Sequence, residues 1–120
     1  MAAKKIVQEF YKSDALIDPN LMQNYLHPEV ILDWQSSKGF MQLNFSEIIV
    51  MTDKLSKAYI RSKAKVTHLL QDGAQVAVHY SHYIKTIENP REDVLLAHFA
   101  VVWELKDNLL FRGYQLSQLP

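Results

Sequence analysis

Residues 75–87 read QVAVHYSHYIKTI, and a large, mainly apolar side chain stands at every second position of this stretch. Alternation with a period of two is the pattern of a β-strand that buries one face. The same strand-like pattern occurs at 59–70, 94–105 and 109–119, and the turn sequences QDG, ENPR and KDN separate the four stretches. The second half of the chain therefore predicts a four-stranded antiparallel meander.

The N-terminal part has a helical period instead. Four apolar residues recur at helical spacing and predict an amphipathic first helix: Ile6, Val7, Phe10 and Tyr11. Asp18 then supplies an N-cap, and Pro19 occupies the first helical position, where proline is favoured. A short second helix follows and ends at His27-Pro28.

A short hairpin and a third helix connect these helices to the meander. The stretch 29–35 is β-branched and aromatic, and 40–43 is a returning strand after a Ser-Ser-Lys-Gly turn. Residues 44–47, NFSE, have the spacing of a capping box, which predicts a third helix that runs to about Ala58. Helices followed by strands indicate an α+β fold with the early helices packed against one face of a long, curved sheet.

Composition excludes several functional classes. The 120 residues weigh 13.9 kDa, and thirteen Lys and Arg balance thirteen Asp and Glu. A chain without a basic excess is not expected to bind nucleic acid. Its three glycines are too scattered for a phosphate-binding loop or a dinucleotide fingerprint, and no Ser lies in a nucleophile elbow.

Sequence features also bear on location. Cysteine is absent, which fits a reducing compartment and excludes thiolate chemistry. Gln8 and Glu9 interrupt the N-terminal apolar run before it reaches the length of a signal peptide, and no apolar stretch is long enough for a membrane anchor. We therefore expect a cytoplasmic protein that does not associate with membranes.

The order of these elements resembles the nuclear-transport-factor-2-like superfamily, and within it the SnoaL-like bacterial proteins. The residues that carry the resemblance are YLHPEV at 25–30, after the second helix, and WELKDN at 103–108, in the meander. The resemblance implies that residues 1–120 form one SnoaL-like domain. Its expected α+β, cystatin-like fold is a cone-shaped, curved antiparallel sheet wrapped around the N-terminal helices.

Proteins of this superfamily have a cavity between helices and sheet, and many form dimers through the outer sheet face. Some are isomerases, dehydratases, cyclases or epoxide hydrolases, whereas others only bind ligands or partners. The resemblance therefore implies a small-molecule ligand and implies no cofactor. It also points to Asp33-Trp34, near the end of the first strand, for the general base of the enzymes. Strand alternation places these two side chains on opposite faces, so Asp33 is either a cavity base or an ordinary solvated carboxylate.

Histidine is a second candidate for acid–base chemistry. His79 and His82 are three residues apart on one strand, so they point to opposite faces and cannot share a metal ion. No metal site is expected. The more apolar stripe of this strand is assigned to the concave face, which places His82 in the cavity near Tyr80.

The last two strands complete the predicted cavity. A two-residue turn at 107–108 pairs Trp103 with Arg112, and Val101 with Tyr114. The alternative is that the inward aromatic residues only fill the core. The predicted ligand-binding residues are Trp34, Tyr80, His82, Trp103, Arg112 and Tyr114.

The opposite sheet face is too apolar to be left wholly in water. A second copy of the chain in a two-fold dimer would cover it, with His98 as an interface hydrogen-bonding residue. The residues assigned to this face are Ala77, His79, Tyr83, His98, Ala100, Val102 and Gln115. A basic cluster around the exit of the third helix, which includes Lys54, is interpreted as a solvated face, with an anion site as the alternative.

Three functions remain open. The protein binds an apolar or aromatic ligand without catalysis, or it is an isomerase-, dehydratase- or cyclase-type enzyme. In the enzyme, His82 transfers a proton and Tyr80 or Tyr114 stabilises developing negative charge. The third possibility is a protein-interaction module that uses the outer sheet face. Because no inward carboxylate is assured, ligand binding ranks first.

Overall fold

The structure is a computed structural model and describes residues 3–120; Met1 and Ala2, part of the segment considered for a signal peptide, lie outside this range. The helical segments of the described residues are α1 (Ala3–Lys12), a short 3-10 helix (Ala15–Ile17), α2 (Pro19–Tyr25) and α3 (Phe45–Ala58). The strands are β1 (Leu26–Ser36), β2 (Gly39–Asn44), β3 (Tyr59–Asp72), β4 (Gln75–Thr86), β5 (Val94–Lys106) and β6 (Leu109–Gln118). No helix in this range combines the length and apolar character needed to cross a bilayer.

The start of α3 is fixed by the predicted capping box. The Asn44 side chain accepts a hydrogen bond from the Glu47 amide at 3.0 Å, and the Glu47 carboxylate accepts one from the Asn44 amide at 3.0 Å. Two amides that the helix leaves without partners are thereby satisfied. Helix α2 is capped as predicted, since the Asp18 carboxylate accepts from the amides of Asn20 and Leu21, but it ends at Tyr25 and β1 follows directly.

The six strands form one curved sheet in the order β2-β1-β6-β5-β4-β3. Strands β3 to β6 are the predicted antiparallel meander. The α+β class is confirmed, and the sheet differs from a wholly antiparallel one at a single seam, where β1 pairs with β6 in parallel. This seam joins the β1–β2 hairpin to the meander, and residues of the hairpin form one wall of a cavity.

The core lies between α1 and the concave face of the meander. Phe10 on α1 is 1% exposed and packs edge-on against Trp103, with ring centroids 6.5 Å apart. The indole Nε1 of Trp103 donates a hydrogen bond to the Tyr11 hydroxyl at 2.8 Å, and the Tyr11 and Tyr80 rings lie 4.6 Å apart. Burial raises the pKa of both tyrosines above the ordinary value, so these hydroxyls stay neutral hydrogen-bonding groups.

The register between β5 and β6 differs from the predicted one. The two-residue turn is present, with φ of 55° at Asp107 and 62° at Asn108, but an irregularity between Glu104 and Leu105 shifts the pairing by one residue. Trp103 therefore pairs with Gly113, and the predicted pairing of Trp103 with Arg112 is wrong. The shift has a steric reason, because the indole needs a partner without a side chain. A Cβ at Gly113 would lie 2.7 Å from Trp103 Cζ3.

This shift reverses the faces predicted for β6, since a slip of one residue exchanges the two sides of a strand. Tyr114 pairs with Val102 and lies on the outer face, where 51% of it is exposed. Arg112 shares that face because it pairs with Glu104. Gln115 pairs with Trp34 of β1 and is buried, so its predicted position on the outer face is also wrong.

Candidate functional site

A cavity of about 840 Å³ lies between α3, the β1–β2 hairpin and the end of the concave face formed by β4 and β5. It adjoins the core, because Ala97 and Phe99 belong to the buried core cluster and also line the cavity. The residues that line it are Trp34, Ser36, Ser37, Lys38, Gly39, Met41, Leu43, Ser46, Glu47, Val50, Met51, Lys54, Leu55, Tyr59, His82, Leu96, Ala97, Phe99, Ser117 and Leu119.

Most of the cavity wall is apolar, for reasons of local periodicity. Met51 and Leu55 are four residues apart on α3 and share the helix face that is turned to the cavity. Met41 and Leu43 are two residues apart on β2 and share the inner face of the hairpin. Phe99 of β5 adds an aromatic side chain to the wall on the side of the meander. Such walls favour a ligand with a large apolar surface.

His82 is the main polar group at the buried end of the cavity. Its ring is 3% exposed, and Nε2 lies 2.7 Å from the Ser62 hydroxyl of β3. Burial lowers the pKa of His82 from the ordinary 6.5 to about 4, so the ring is uncharged at neutral pH. Nδ1 makes no hydrogen bond within residues 3–120, and because no enclosed polar side-chain atom there lacks a partner, Nδ1 is not fully enclosed. His82 can therefore accept or donate one hydrogen bond to a bound molecule, and which it does depends on the tautomer.

Trp34, on β1, forms the part of the cavity wall where the β1–β2 hairpin pairs with β6. Its Nε1 donates a hydrogen bond to the Ser117 hydroxyl near the end of β6 at 2.7 Å. The ring centroid lies 6.2 Å from that of Phe99. Because its polar end is already bonded, Trp34 presents an aromatic surface to the cavity. Together, the two rings form a surface on which a flat apolar molecule can pack.

The predicted site residues separate into three groups. Trp34 and His82 line the cavity. Tyr80 and Trp103 lie in the packed core against Tyr11 and are 2% and 4% exposed, so the alternative that the inward aromatic residues fill the core describes them. The remaining three residues, Asp33, Arg112 and Tyr114, are on the outer face. The predicted cavity positions of Arg112 and Tyr114 are therefore wrong.

Asp33 has a local partner on that face. Its Oδ1 accepts a hydrogen bond from Gln42 Nε2, on the facing strand β2, at 2.9 Å. Trp34 faces the cavity, and Asp33 therefore points away from it, as strand alternation requires. This geometry does not support Asp33 as a base in the cavity. It fits the alternative, in which Asp33 is an ordinary, partly solvated carboxylate.

Several residues of the site have no sequence signal that places them there. The third helix predicted from the capping box contains Met51 and Leu55, and their spacing puts them on one face, but the sequence does not show what that face contacts. Ser62, the hydrogen-bonding partner of His82, lies outside any motif and meets His82 only through the register of β3 and β4. Ser117 meets Trp34 across the parallel seam, which the sequence did not predict.

Metal ligands are not brought together among the described residues, since no three His, Cys, Asp or Glu side chains cluster there. His79 and His82 point to opposite faces, as their spacing predicts. His79 is exposed on the outer face, and its Nδ1 lies 2.6 Å from the Thr67 hydroxyl. The absence of a metal and of a cofactor stays a prediction from the sequence.

The outer sheet face carries a second, shallower groove of about 560 Å³. Apolar side chains at its surface are well exposed: Leu70 by 66%, Leu116 by 59% and Tyr114 by 51%. Exposed apolar groups that line one groove mark an interaction surface more often than isolated ones do. The outer face is apolar, as predicted, and its exposed apolar residues on β6 are Tyr114 and Leu116.

Comparisons with known proteins identify the fold. Neither a family model nor any curated protein matches the sequence. Among solved structures, a SnoaL-like protein from Shewanella denitrificans OS-217, proposed to be a polyketide cyclase, has a TM-score of 0.73 and 9% identity, over 96% of this chain and 89% of its own. IdmH from Streptomyces antibioticus, also proposed to be a polyketide cyclase, has a TM-score of 0.75 and 10% identity, over 98% and 92% of the two chains.

A third structure is a nuclear-transport-factor-2-like protein of unknown function from Burkholderia pseudomallei K96243. It has a TM-score of 0.67 and 14% identity, over 96% of this chain and 90% of its own. These likenesses confirm the predicted resemblance at the level of fold: the chain has the cone-shaped fold of SnoaL-like and nuclear-transport-factor-2-like proteins. At such low identity they do not transfer an activity or a ligand.

Proposed function

We propose that the protein binds a small, largely apolar molecule with aromatic rings in the cavity between α3 and the sheet. The observation that supports this proposal most is the cavity itself, whose volume of about 840 Å³ lies in the range of small-molecule sites. Trp34 and Phe99 offer aromatic surfaces, and His82 offers one hydrogen bond at the buried end. The likeness to proteins named as polyketide cyclases supports a small organic molecule as the ligand class.

Two substitutions on one strand test this proposal with a neutral fluorescent probe, N-phenyl-1-naphthylamine. Ala97 on β5 lines the cavity next to His82, with which it pairs across β4 and β5. Ala100 on the same strand lies on the outer face. A phenyl ring at position 97 occupies space beside Phe99, so we expect A97F to weaken probe binding roughly tenfold, through the loss of about 55 Å² of apolar contact. The matched variant A100F should bind the probe as the wild type does.

Near-UV circular dichroism of both variants shows whether the fold is intact. If A97F does not fold, M51W on α3 fills the same cavity from the opposite wall. Equal probe affinity for the wild type and for the folded cavity variants would contradict binding in this cavity.

An isomerase-, dehydratase- or cyclase-type enzyme is the second candidate, favoured by the contact between His82 and Ser62 at the cavity wall. Burial keeps His82 neutral near pH 7, and a pKa of about 4 makes the ring a weak base with almost no protonated form to act as an acid. Neither predicted tyrosine partner is in place, since Tyr80 is in the core and Tyr114 is on the outer face. The carboxylate that lines the cavity, Glu47, is already bonded to an amide of its capping box. Binding without turnover is therefore the better supported function.

We also propose that a second copy of the chain covers the outer sheet face in a two-fold dimer. Leu70, Tyr114 and Leu116 would be buried there, and a two-fold axis lets one surface patch pair with itself. We expect the wild-type protein to sediment at twice the chain mass of 13.9 kDa. L116K should sediment as a monomer, because each dimer would bury two new charges.

I87K is the control for this measurement, since Ile87 is 62% exposed but lies beyond the end of β4, outside the groove. It should sediment as the wild type does. A wild-type protein that stays monomeric at all concentrations would contradict the dimer. It would instead favour the third candidate function, an interaction module that uses this face for a different protein.

A further inference from the structure

The charged groups of the ligand cavity lie at its exposed rim. Lys38, in the β1–β2 turn, and Lys54, on α3, both line the cavity and are exposed. At the opposite end, His82 and Phe99 are 3% and 9% exposed, and neither carries a charge at neutral pH. The cavity therefore has an uncharged, mainly apolar interior and a rim that carries two ammonium groups.

Neither rim lysine has an acidic partner within the described part of the chain. Lys57, on the same helix, forms an ion pair with Asp53 at 3.1 Å. By contrast, no carboxylate oxygen of residues 3–120 lies within 4.0 Å of the ammonium group of Lys38 or Lys54. Two unpaired ammonium groups at the mouth of an apolar cavity create a positive potential there.

Glu47 is the acidic residue at the same rim, and its charge is already partly balanced. Its Oε1 accepts a hydrogen bond from the Asn44 amide, and it lies in the first turn of α3, where the helix dipole favours a negative charge. The rim as a whole thus keeps a net positive charge. A neutral ligand would gain no electrostatic attraction from this positive charge, and a cationic ligand would be repelled by it.

We propose that the ligand of this cavity is a ring-containing organic anion. Its rings occupy the apolar interior against Trp34 and Phe99, and its acid group lies at the rim near Lys38 and Lys54. This inference rests on the proposed function, because it concerns the ligand of the same cavity. It also favours the anion-site alternative for Lys54 over a merely solvated role.

A pair of fluorescent probes with the same rings tests the charge separately from the binding. The pair is 1-anilinonaphthalene-8-sulfonate, which is an anion, and neutral N-phenyl-1-naphthylamine. At low ionic strength we expect the sulfonate to bind more tightly, and K38M and K54M each to weaken its binding about threefold. The double variant K38M/K54M should weaken it about tenfold, and added salt should reduce the wild-type preference. None of these changes should alter binding of the neutral probe more than twofold.

K57M is the matched control, since Lys57 is on the same helix but pairs with Asp53 and does not line the cavity. It should leave the affinity for both probes unchanged. Equal affinity for the two probes, or a loss of sulfonate binding in K57M as large as in K54M, would overturn the anion inference while ligand binding stands. If A97F leaves the affinity for both probes unchanged, neither binds in the cavity, and the proposed function fails together with this inference.

Discussion

Replacing Gly113 by valine is expected to lower the free energy of unfolding by about 3 kcal/mol. A Cβ at this position would lie 2.6 Å from Leu32 Cδ1 and 2.7 Å from Trp103 Cζ3, so a side chain has no room. Leu32 is buried and cannot turn away freely. The indole of Trp103 is held by its hydrogen bond to Tyr11, which would stretch if the ring moved. The strain therefore falls on a packed region with little freedom to relax.

Urea denaturation of G113V at neutral pH measures this effect. Gln118 on the same strand is exposed, so Q118V introduces the same side chain without the clash and should change the free energy of unfolding by less than about 0.5 kcal/mol. G113V and Q118V of equal stability would contradict the observed pairing of Gly113 with Trp103, and would favour the register that the sequence predicted.

Acid is expected to destabilise the protein through His82. In the folded state the pKa of this residue is about 4, below the ordinary 6.5, because burial disfavours the charged ring. Between these two pH values the unfolded chain binds a proton that the folded chain does not. The free energy of unfolding is therefore highest above pH 6.5 and falls as the pH decreases towards 4, by roughly 3 kcal/mol from this residue.

The substitution H82Q isolates this contribution, since glutamine can still hydrogen-bond to Ser62 but does not titrate in this range. Urea denaturation at pH 7.5 and pH 4.5 should show that wild-type stability decreases more than that of H82Q, by roughly 2 kcal/mol. A pH dependence that is the same in the wild type and H82Q would show that His82 is not buried in its neutral form.

The sequence predicts most of the elements because each has a local signal. The capping box of Asn44 and Glu47 fixes the start of α3, and the alternation at 75–87 defines both faces of β4, including the inward position of His82. Signals of this kind need only the residues of one segment. They do not depend on which other segment lies beside it.

The cavity was predicted less well because it depends on relations between segments. One irregularity between Glu104 and Leu105 exchanges the faces of β6, and no turn rule applied to 107–108 reveals it. That exchange moves Tyr114 outwards and places Gly113 beneath Trp103. Similarly, the packing of α3 over the end of the sheet brings Met51 to the cavity, and the pattern of the helix alone does not name its partner.

Methionine methyl groups offer the most direct test of ligand binding in the cavity. Met41 on β2 and Met51 on α3 line it from two sides, whereas Met22 on α2 is buried in the core. In protein labelled with [methyl-13C]methionine, titration with N-phenyl-1-naphthylamine should shift the resonances of Met41 and Met51 and leave that of Met22 in place. Saturating probe that shifts neither Met41 nor Met51, or that shifts Met22 alone, would contradict ligand binding in this cavity.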